Sequence, residues 1–450
     1  MAIGQSLKLT KGAITQDLTI NDSTSERFSL YVPKDFDPQK SYKTLFLFDP
    51  QGNGIRATRL LTSSMVTDDY VIASNEWKLS DDLEVNINVA AKMIQRVVAN
   101  ILVDRKHVYA AGLDEGALTA SGLTYVLNGI QGLLLVNDVF YKNQNRISQE
   151  TPITIGLVAN SSENYYKVND IFDSLKGVSK SNDLYIYEGD GGWPESSYFS
   201  SLFSTLQFRV SEKMDDPLSD SLVRKSFVQD STTAEILRRK KEYLIAYDFI
   251  DLLKDKYRGK MNLRPLRNQI QELRRDKGYR NARRSFNRNI EEEYFLKEDL
   301  SYFLQEDIAM ASFDNLGYWD ERMRELDTAK NNDKKPYEQL VAKRVTGYVD
   351  GMLKAYETAF DSRILSLEQA IFFNVLKSVI HPKDFEAYKN IISLTAKDND
   401  DKTAYFYLDK MLSNGYKDYE AVYDIPDTEV LHISTEFNKI VKKYFGKSKF

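Results

Sequence analysis

Asp114 stands at the centre of Gly112-Leu113-Asp114-Glu115-Gly116, where two glycines four residues apart frame a carboxylate. Glycines at that spacing permit a sharp turn between a strand and a helix, and such a turn lifts its central side chain out of the sheet. A carboxylate placed there has three chemical uses: it attacks an electrophilic carbon, it accepts backbone N–H bonds at the helix start, or it holds donor groups of a ligand. The first use needs a base to activate water afterwards, and the usual base is histidine. The chain contains only His107, His381 and His432. His107 precedes the apolar run leading into the turn, and the other two lie in a distant, helix-rich region.

Two glycine-rich loops carry the other candidate groups. Asp49-Pro50-Gln51-Gly52-Asn53-Gly54 follows the apolar run Thr44 to Phe48, and Glu188-Gly189-Asp190-Gly191-Gly192-Trp193-Pro194 follows Leu184 to Tyr187. Glu163, beyond the run Ile153 to Val158, is the nearest candidate for a supporting acid. Glu163, Glu188, Asp190 and Glu195 lack the alternating ligand pattern of a calcium loop, so Gly189 to Gly192 reads as a tight turn and no metal is expected. Neither a P-loop nor G-x-G-x-x-G follows a strand, and no cofactor is expected.

The elements that must position these groups follow from hydrophobic periodicity. Phe28 to Val32, Thr44 to Phe48, Tyr70 to Ala73, Val108 to Ala111, Leu133 to Val136, Ile153 to Val158 and Leu184 to Tyr187 read as strands. Ser6 to Ile20 reads as a pair of edge strands turning at Lys11-Gly12. Helical faces lie between them, with Ile87, Ala90, Ile94, Val97 and Ile101 on one and Val168, Ile171, Phe172 and Leu175 on another. Tyr198, Phe199, Leu202, Phe203 and Leu206 give a closing helix. The alternation predicts a mostly parallel sheet with flanking helices over residues 1–212. Past Glu212 strands disappear, so 213–450 reads as a second, all-α domain. Near 400–445 it has the helix-pair pattern of a tetratricopeptide unit, and elsewhere it is irregular.

In order and spacing the first domain resembles an α/β-hydrolase of the esterase type, a family also found fused to helical repeats. Gly112 to Gly116 resembles the nucleophile elbow, Phe46 to Gly54 the oxyanion loop, and Glu188 to Pro194 the catalytic-histidine loop. The resemblance puts Asp114 where a serine belongs, Gly191 where the histidine belongs, and Gln51 where the oxyanion loop commonly carries His-Gly. It therefore implies a fold with degenerate catalytic positions, and the chain is expected not to be an enzyme. Aspartate at the elbow is also how haloalkane dehalogenases and epoxide hydrolases form an alkyl-enzyme ester, so an Asp114 nucleophile is the alternative. A third alternative is a small-molecule-sensing pocket lined by Gln51, Asp114, Trp193 and Glu163 and coupled to the helical domain.

Composition bounds the partners. The 450-residue chain has a formal net charge of -5, 28% charged residues and no cysteine, which removes disulfides and thiolate chemistry and argues against general nucleic-acid binding. Within it, 258–288 is basic, with Arg274, Arg275, Arg280, Arg283 and Arg284 as docking candidates. The expected role is an accessory subunit of a larger, membrane-associated assembly, binding protein partners through this segment or the helical domain in transport or export. That places it in the periplasm or cell envelope if a signal peptide was removed, and in the cytoplasm otherwise. Oligomeric state does not follow from the sequence.

Overall fold

The structure is a computed structural model that describes residues 7–21, 25–63, 69–141, 151–189, 191–360 and 365–450. Eight strands form one sheet: β1 Ile14–Thr19, β2 Arg27–Tyr31, β3 Tyr42–Phe48, β4 Tyr70–Asn75, β5 Val103–Leu113, β6 Gly132–Val136, β7 Ile153–Ala159 and β8 Asp183–Tyr187. Their spatial order is β1-β2-β4-β3-β5-β6-β7-β8. From β4 to β8 every neighbour is parallel, whereas β1 and β2 are antiparallel additions at one edge. The parallel strands are apolar without alternation, as Leu133 to Val136 illustrates, because helices cover both of their faces. The expected pair of edge strands in Ser6 to Ile20 is corrected among the described residues. The chain turns at Lys11-Gly12 but only Ile14–Thr19 pairs, and it pairs with β2.

Helices α1 Gly54–Thr62, α2 Leu83–Asn100, α3 Glu115–Gly122, α4 Tyr165–Val178 and α5 Ser196–Lys213 alternate with the strands. One face of the sheet shares a core with α2, α3 and α4, including Ala90, Val97, Ala117, Val168 and Phe172. The other shares a core with α1, α5 and three helices that follow, α6 Asp220–Arg239, α7 Tyr243–Lys256 and α8 Arg264–Arg275. That second core corrects the boundary expected at 212. The chain divides into compact units Met1–Ile290 and Glu291–Phe450, because α5 is buried nearly all round. Tyr198, Phe203 and Leu206 serve the sheet side, and Ser201 and Ser204 meet Thr233 and Ser226 of α6 through hydroxyl contacts of 3.2 Å.

Helix α9, Lys277–Met310, carries the chain from the first unit into the second. The second unit continues with α10 Leu316–Lys330, α11 Pro336–Phe360, α12 Leu367–Ile380, α13 Phe385–Lys397 and α14 Asp401–Ser413. It ends in α15 Tyr419–Tyr423, α16 Glu429–His432 and α17 Thr435–Phe445. Two clusters hold it, one around Trp319, Val345 and Phe372 and one around Tyr388, Leu408 and Phe437. The region near 400–445, expected as a tetratricopeptide-like helix pair, holds the four helices α14 to α17. No helix among the described residues is long and apolar enough to cross a membrane.

Candidate functional site

The chain leaves β3 toward β4 on one side and returns to β5 on the other, so the strand order reverses between β3 and β5. In open parallel sheets the crevice beyond the carboxyl ends of such strands is where ligands bind. The Asp49 loop and Asp114 both lie there.

Asp114 has backbone angles of φ 48° and ψ −116°, outside the regions that L-residues populate, at a cost of about 1 to 3 kcal/mol. Its backbone is held from both sides. Its N–H donates to the Val136 carbonyl at 2.9 Å, and its own carbonyl accepts from Ala117 and Leu118 at 2.8 and 3.1 Å. The framing glycines are forced by contact: a Cβ on Gly112 would stand 2.0 Å from the Gly116 carbonyl oxygen, and one on Gly116 would stand 2.1 Å from that of Phe48. The helix-capping reading of Asp114 is corrected, since its side chain makes no cap bond.

That half-buried carboxyl is raised from an ordinary 3.8 to about 7, chiefly by loss of water, with Glu115, Asp138 and Asp49 adding like charge. A hydrogen bond from the Asn137 amide opposes the rise. Leu113 pairs with Val136 in the β5/β6 register, so the residue beyond each strand end, Asp114 and Asn137, are neighbours. Asn137 also ties the end of β7 to the loop that follows β8. Its amide nitrogen donates to the Gly191 carbonyl, and its oxygen accepts from the Ala159 N–H at 2.9 Å. A neutral amide thus bridges the carboxyl and the loop where an imidazole was sought. Replacing Asn137 by glycine, which tolerates the φ of 63° found there, removes the donor; the Asp114 carboxyl is then expected to titrate above 7. Carbon-detected NMR titration of the side chain measures it, and an unchanged midpoint would dismiss the bond.

Asp138, buried beside Asn137, is the acid that sequence reasoning missed. Lys167 Nζ lies 2.6 Å from one of its oxygens, and Asn164 Nδ2 lies 3.3 Å from the other. Burial pushes its carboxyl up, and Lys167 pulls it back. The clue was available: Asn137-Asp138 is the first polar pair after the apolar β6.

The other candidates are distributed as follows. Gln51 is exposed, and its N–H, like that of Asn53, donates to Asp49 Oδ1 at 2.9 Å. Trp193 donates its indole N–H to Asp49 Oδ2 at 2.7 Å, so the buried Asp49 collects the loop's donors. Gly191 adopts φ 93°, and Asp190 lies outside the described residues. Glu163 is exposed in the turn before α4, and Glu195 pairs with Lys240. His107 is buried toward the opposite end of β5, 2.7 Å from Asp104 and 3.4 Å from Asp216. In the second unit His381 bonds Asp350 at 2.7 Å and His432 bonds Thr428 at 2.8 Å. Arg274, Arg275, Arg280, Arg283 and Arg284 are all exposed, but Arg274 is engaged by Tyr247 and Arg283 lies over Phe286.

No protein family profile matches the chain, and neither does any curated protein. Solved structures do match in part. A thermostable esterase is 13% identical with a TM-score of 0.36, over 44% of this chain and 62% of its own, so this chain spans less than two thirds of that protein. Esterase 2 of Thermogutta terrifontis, phosphonylated by sarin, is 10% identical with a TM-score of 0.34, over 46% of this chain and 96% of its own. Fluorophosphonate-binding serine hydrolase F of Staphylococcus aureus is 12% identical with a TM-score of 0.34, over 45% and 99%. These neighbours, esterases and serine hydrolases, overturn the expectation that the chain is not an enzyme, and that expectation is withdrawn. With its eight-stranded, mostly parallel sheet covered by helices on both faces, the first part of the chain has the α/β-hydrolase fold, and an all-helical region follows it.

Proposed function

We propose that the first unit is a hydrolase-type catalytic domain whose reacting group is Asp114. The observation that carries this reading is the backbone of Asp114, held at φ 48° and ψ −116° between two glycines that nothing larger can replace. Strain of that kind clusters where a side chain must be presented in one orientation. One carboxylate oxygen attacks a saturated carbon bearing a leaving group, the carbon–oxygen ester bond forms, and the bond to the leaving group breaks with its electron pair. A halide leaves as such, and an epoxide oxygen stays on the product and takes up a proton. Hydrolysis of the ester then depends on a nearby carboxylate, and Asp138 and Asp49 are the two buried ones that act on Asp114. With glycine at position 191 the ester is expected to persist long enough to be observed.

The test is incubation of the full chain with an alkyl bromide or an epoxide, followed by peptide mass spectrometry. An adduct on Asp114 is expected. Because only the ionised carboxylate attacks, and burial holds that carboxyl at about 7, the labelling rate should rise about tenfold per pH unit below 7 and level off above it. Asp114→Asn should abolish labelling. Absence of an adduct between pH 6 and 9, or labelling that survives Asp114→Asn, would defeat the proposal. As part of the same reading, the helical unit serves to meet protein partners, an expectation supported by the aromatic side chains exposed along α9.

A further inference from the structure

Between α6 and the start of α8, wholly within the first unit, lies an open groove of about 470 Å³. Phe227, Val228, Ile236 and Pro265 give it apolar walls, and Val228 keeps 65% of its surface in contact with water. One wall is firmly anchored. The Phe227 ring meets Tyr257 edge-on, with centroids 5.0 Å apart, and the Tyr257 hydroxyl donates to the buried Asp230 at 2.7 Å. Among the described residues the only carboxylate in the lining is Glu235, and arginines take both of its oxygens, Arg238 at 2.7 Å and Arg239 at 2.9 Å. Arg224 stands one turn before Val228 on the same face of α6, and Arg264 immediately precedes Pro265. Both are exposed, and no ion pair engages either among the described residues. Glu272 and Asp276 act on Arg238, but they sit at the far end of α8 from Pro265. The groove therefore offers apolar walls beside two uncompensated positive charges.

We propose that this groove receives an acidic amphipathic helix of a partner protein. Bulky apolar side chains three or four residues apart on that helix enter between Phe227, Val228 and Ile236, the mode by which helices occupy grooves. Carboxylates flanking them meet Arg224 and Arg264. Charge complementarity selects this occupant, because a basic helix would bring like charge to both arginines. Exposed ion pairs alone contribute little, so the apolar side chains supply the burial and the charges set direction and register. With Phe227 held against Tyr257 the groove is formed before the partner arrives, and binding need not reorder it.

The test is fluorescence anisotropy of the full chain with a dye-labelled helical peptide of leucine, alanine and glutamate, its leucines at spacings of three and four. The peptide is expected to bind, and to bind more weakly as salt screens the arginines. Val228→Asp should weaken binding by about tenfold or more, and Arg224→Glu combined with Arg264→Glu should do the same. Val85→Asp, which changes an exposed valine of α2, should leave it unchanged. The same peptide with lysine for glutamate should bind the double arginine variant and not the wild type. No binding at low salt, equal binding of the two peptides by the wild type, or binding that survives Val228→Asp overturns the proposal. So does a wild-type dimer in sedimentation that Val228→Asp dissociates, since that would give the groove to a second copy of the chain. These readouts do not depend on Asp114 chemistry.

Discussion

Gly112→Ala is expected to destabilise the first unit by about 4 kcal/mol or more, the range reserved for substitutions that a structure cannot absorb. The new Cβ would lie 2.0 Å from the Gly116 carbonyl oxygen, 2.1 Å from its carbon and 2.4 Å from the Ala117 nitrogen. All three are backbone atoms at the start of α3, and α3 is held to β3, β5 and β6 by close packing, so no side chain can swing aside to make room. Natural domains are stable by only about 5 to 15 kcal/mol, so such a loss leaves much of the protein unfolded on warming. Denaturant titration followed by circular dichroism measures the effect. Gly177→Ala is the control: Gly177 sits in α4 with nothing within 4 Å of the new methyl, and the change should be neutral or stabilise by up to about 1 kcal/mol. If the two variants unfold alike, the elbow is not as tight as described.

The second large effect is expected at Lys256→Met, at about 3 to 5 kcal/mol. Lys256 and Asp230 are paired at 2.7 Å with both side chains almost wholly excluded from water. Burial pulls the ammonium below the usual lysine range, and Asp230 opposes that pull. Ser204 Oγ accepts from Lys256 at 3.0 Å, and Tyr257 donates its hydroxyl to the same Asp230 oxygen at 2.7 Å. Removing the lysine alone leaves a carboxylate buried with one donor, whereas Lys256→Met with Asp230→Asn removes both charges and keeps an acceptor for Tyr257. The double variant should therefore recover much of the loss in the same denaturant titration. Equal destabilisation of single and double variants would mean that shape, and not charge, holds this junction of α5, α6 and α7.

What could be read in advance divides along the line between local and non-local information. The seven strands from β2 to β8 were legible as short apolar runs bounded by turn residues, because a strand covered on both faces needs no pattern beyond continuous hydrophobicity. The turn at Asp114 was legible because glycine spacing is a local signal. The neighbours of Asp114 were not: Asn137 and Asp138 reach it through the β5/β6 register, and register is a relation between segments more than twenty residues apart. The boundary at 212 misled for a similar reason. Element type does change there, but only the presence of α6 and α7 shows that the small hydroxyls of α5 allow close helix contact.

The burial of α5 on nearly every side also bears on how this protein comes apart. One hydrophobic core runs from Leu45 and Ile155 in the sheet through Phe203 and Leu206 of α5 to Phe249 of α7 and Leu273 of α8. Side chains that share a core lose it together, so the helices from α6 to α8 are bound into the same cooperative melting event as the sheet. The hydrolase-like fold therefore has no separate life within the first 212 residues; its smallest self-sufficient form includes the helices that the change in composition would have assigned elsewhere.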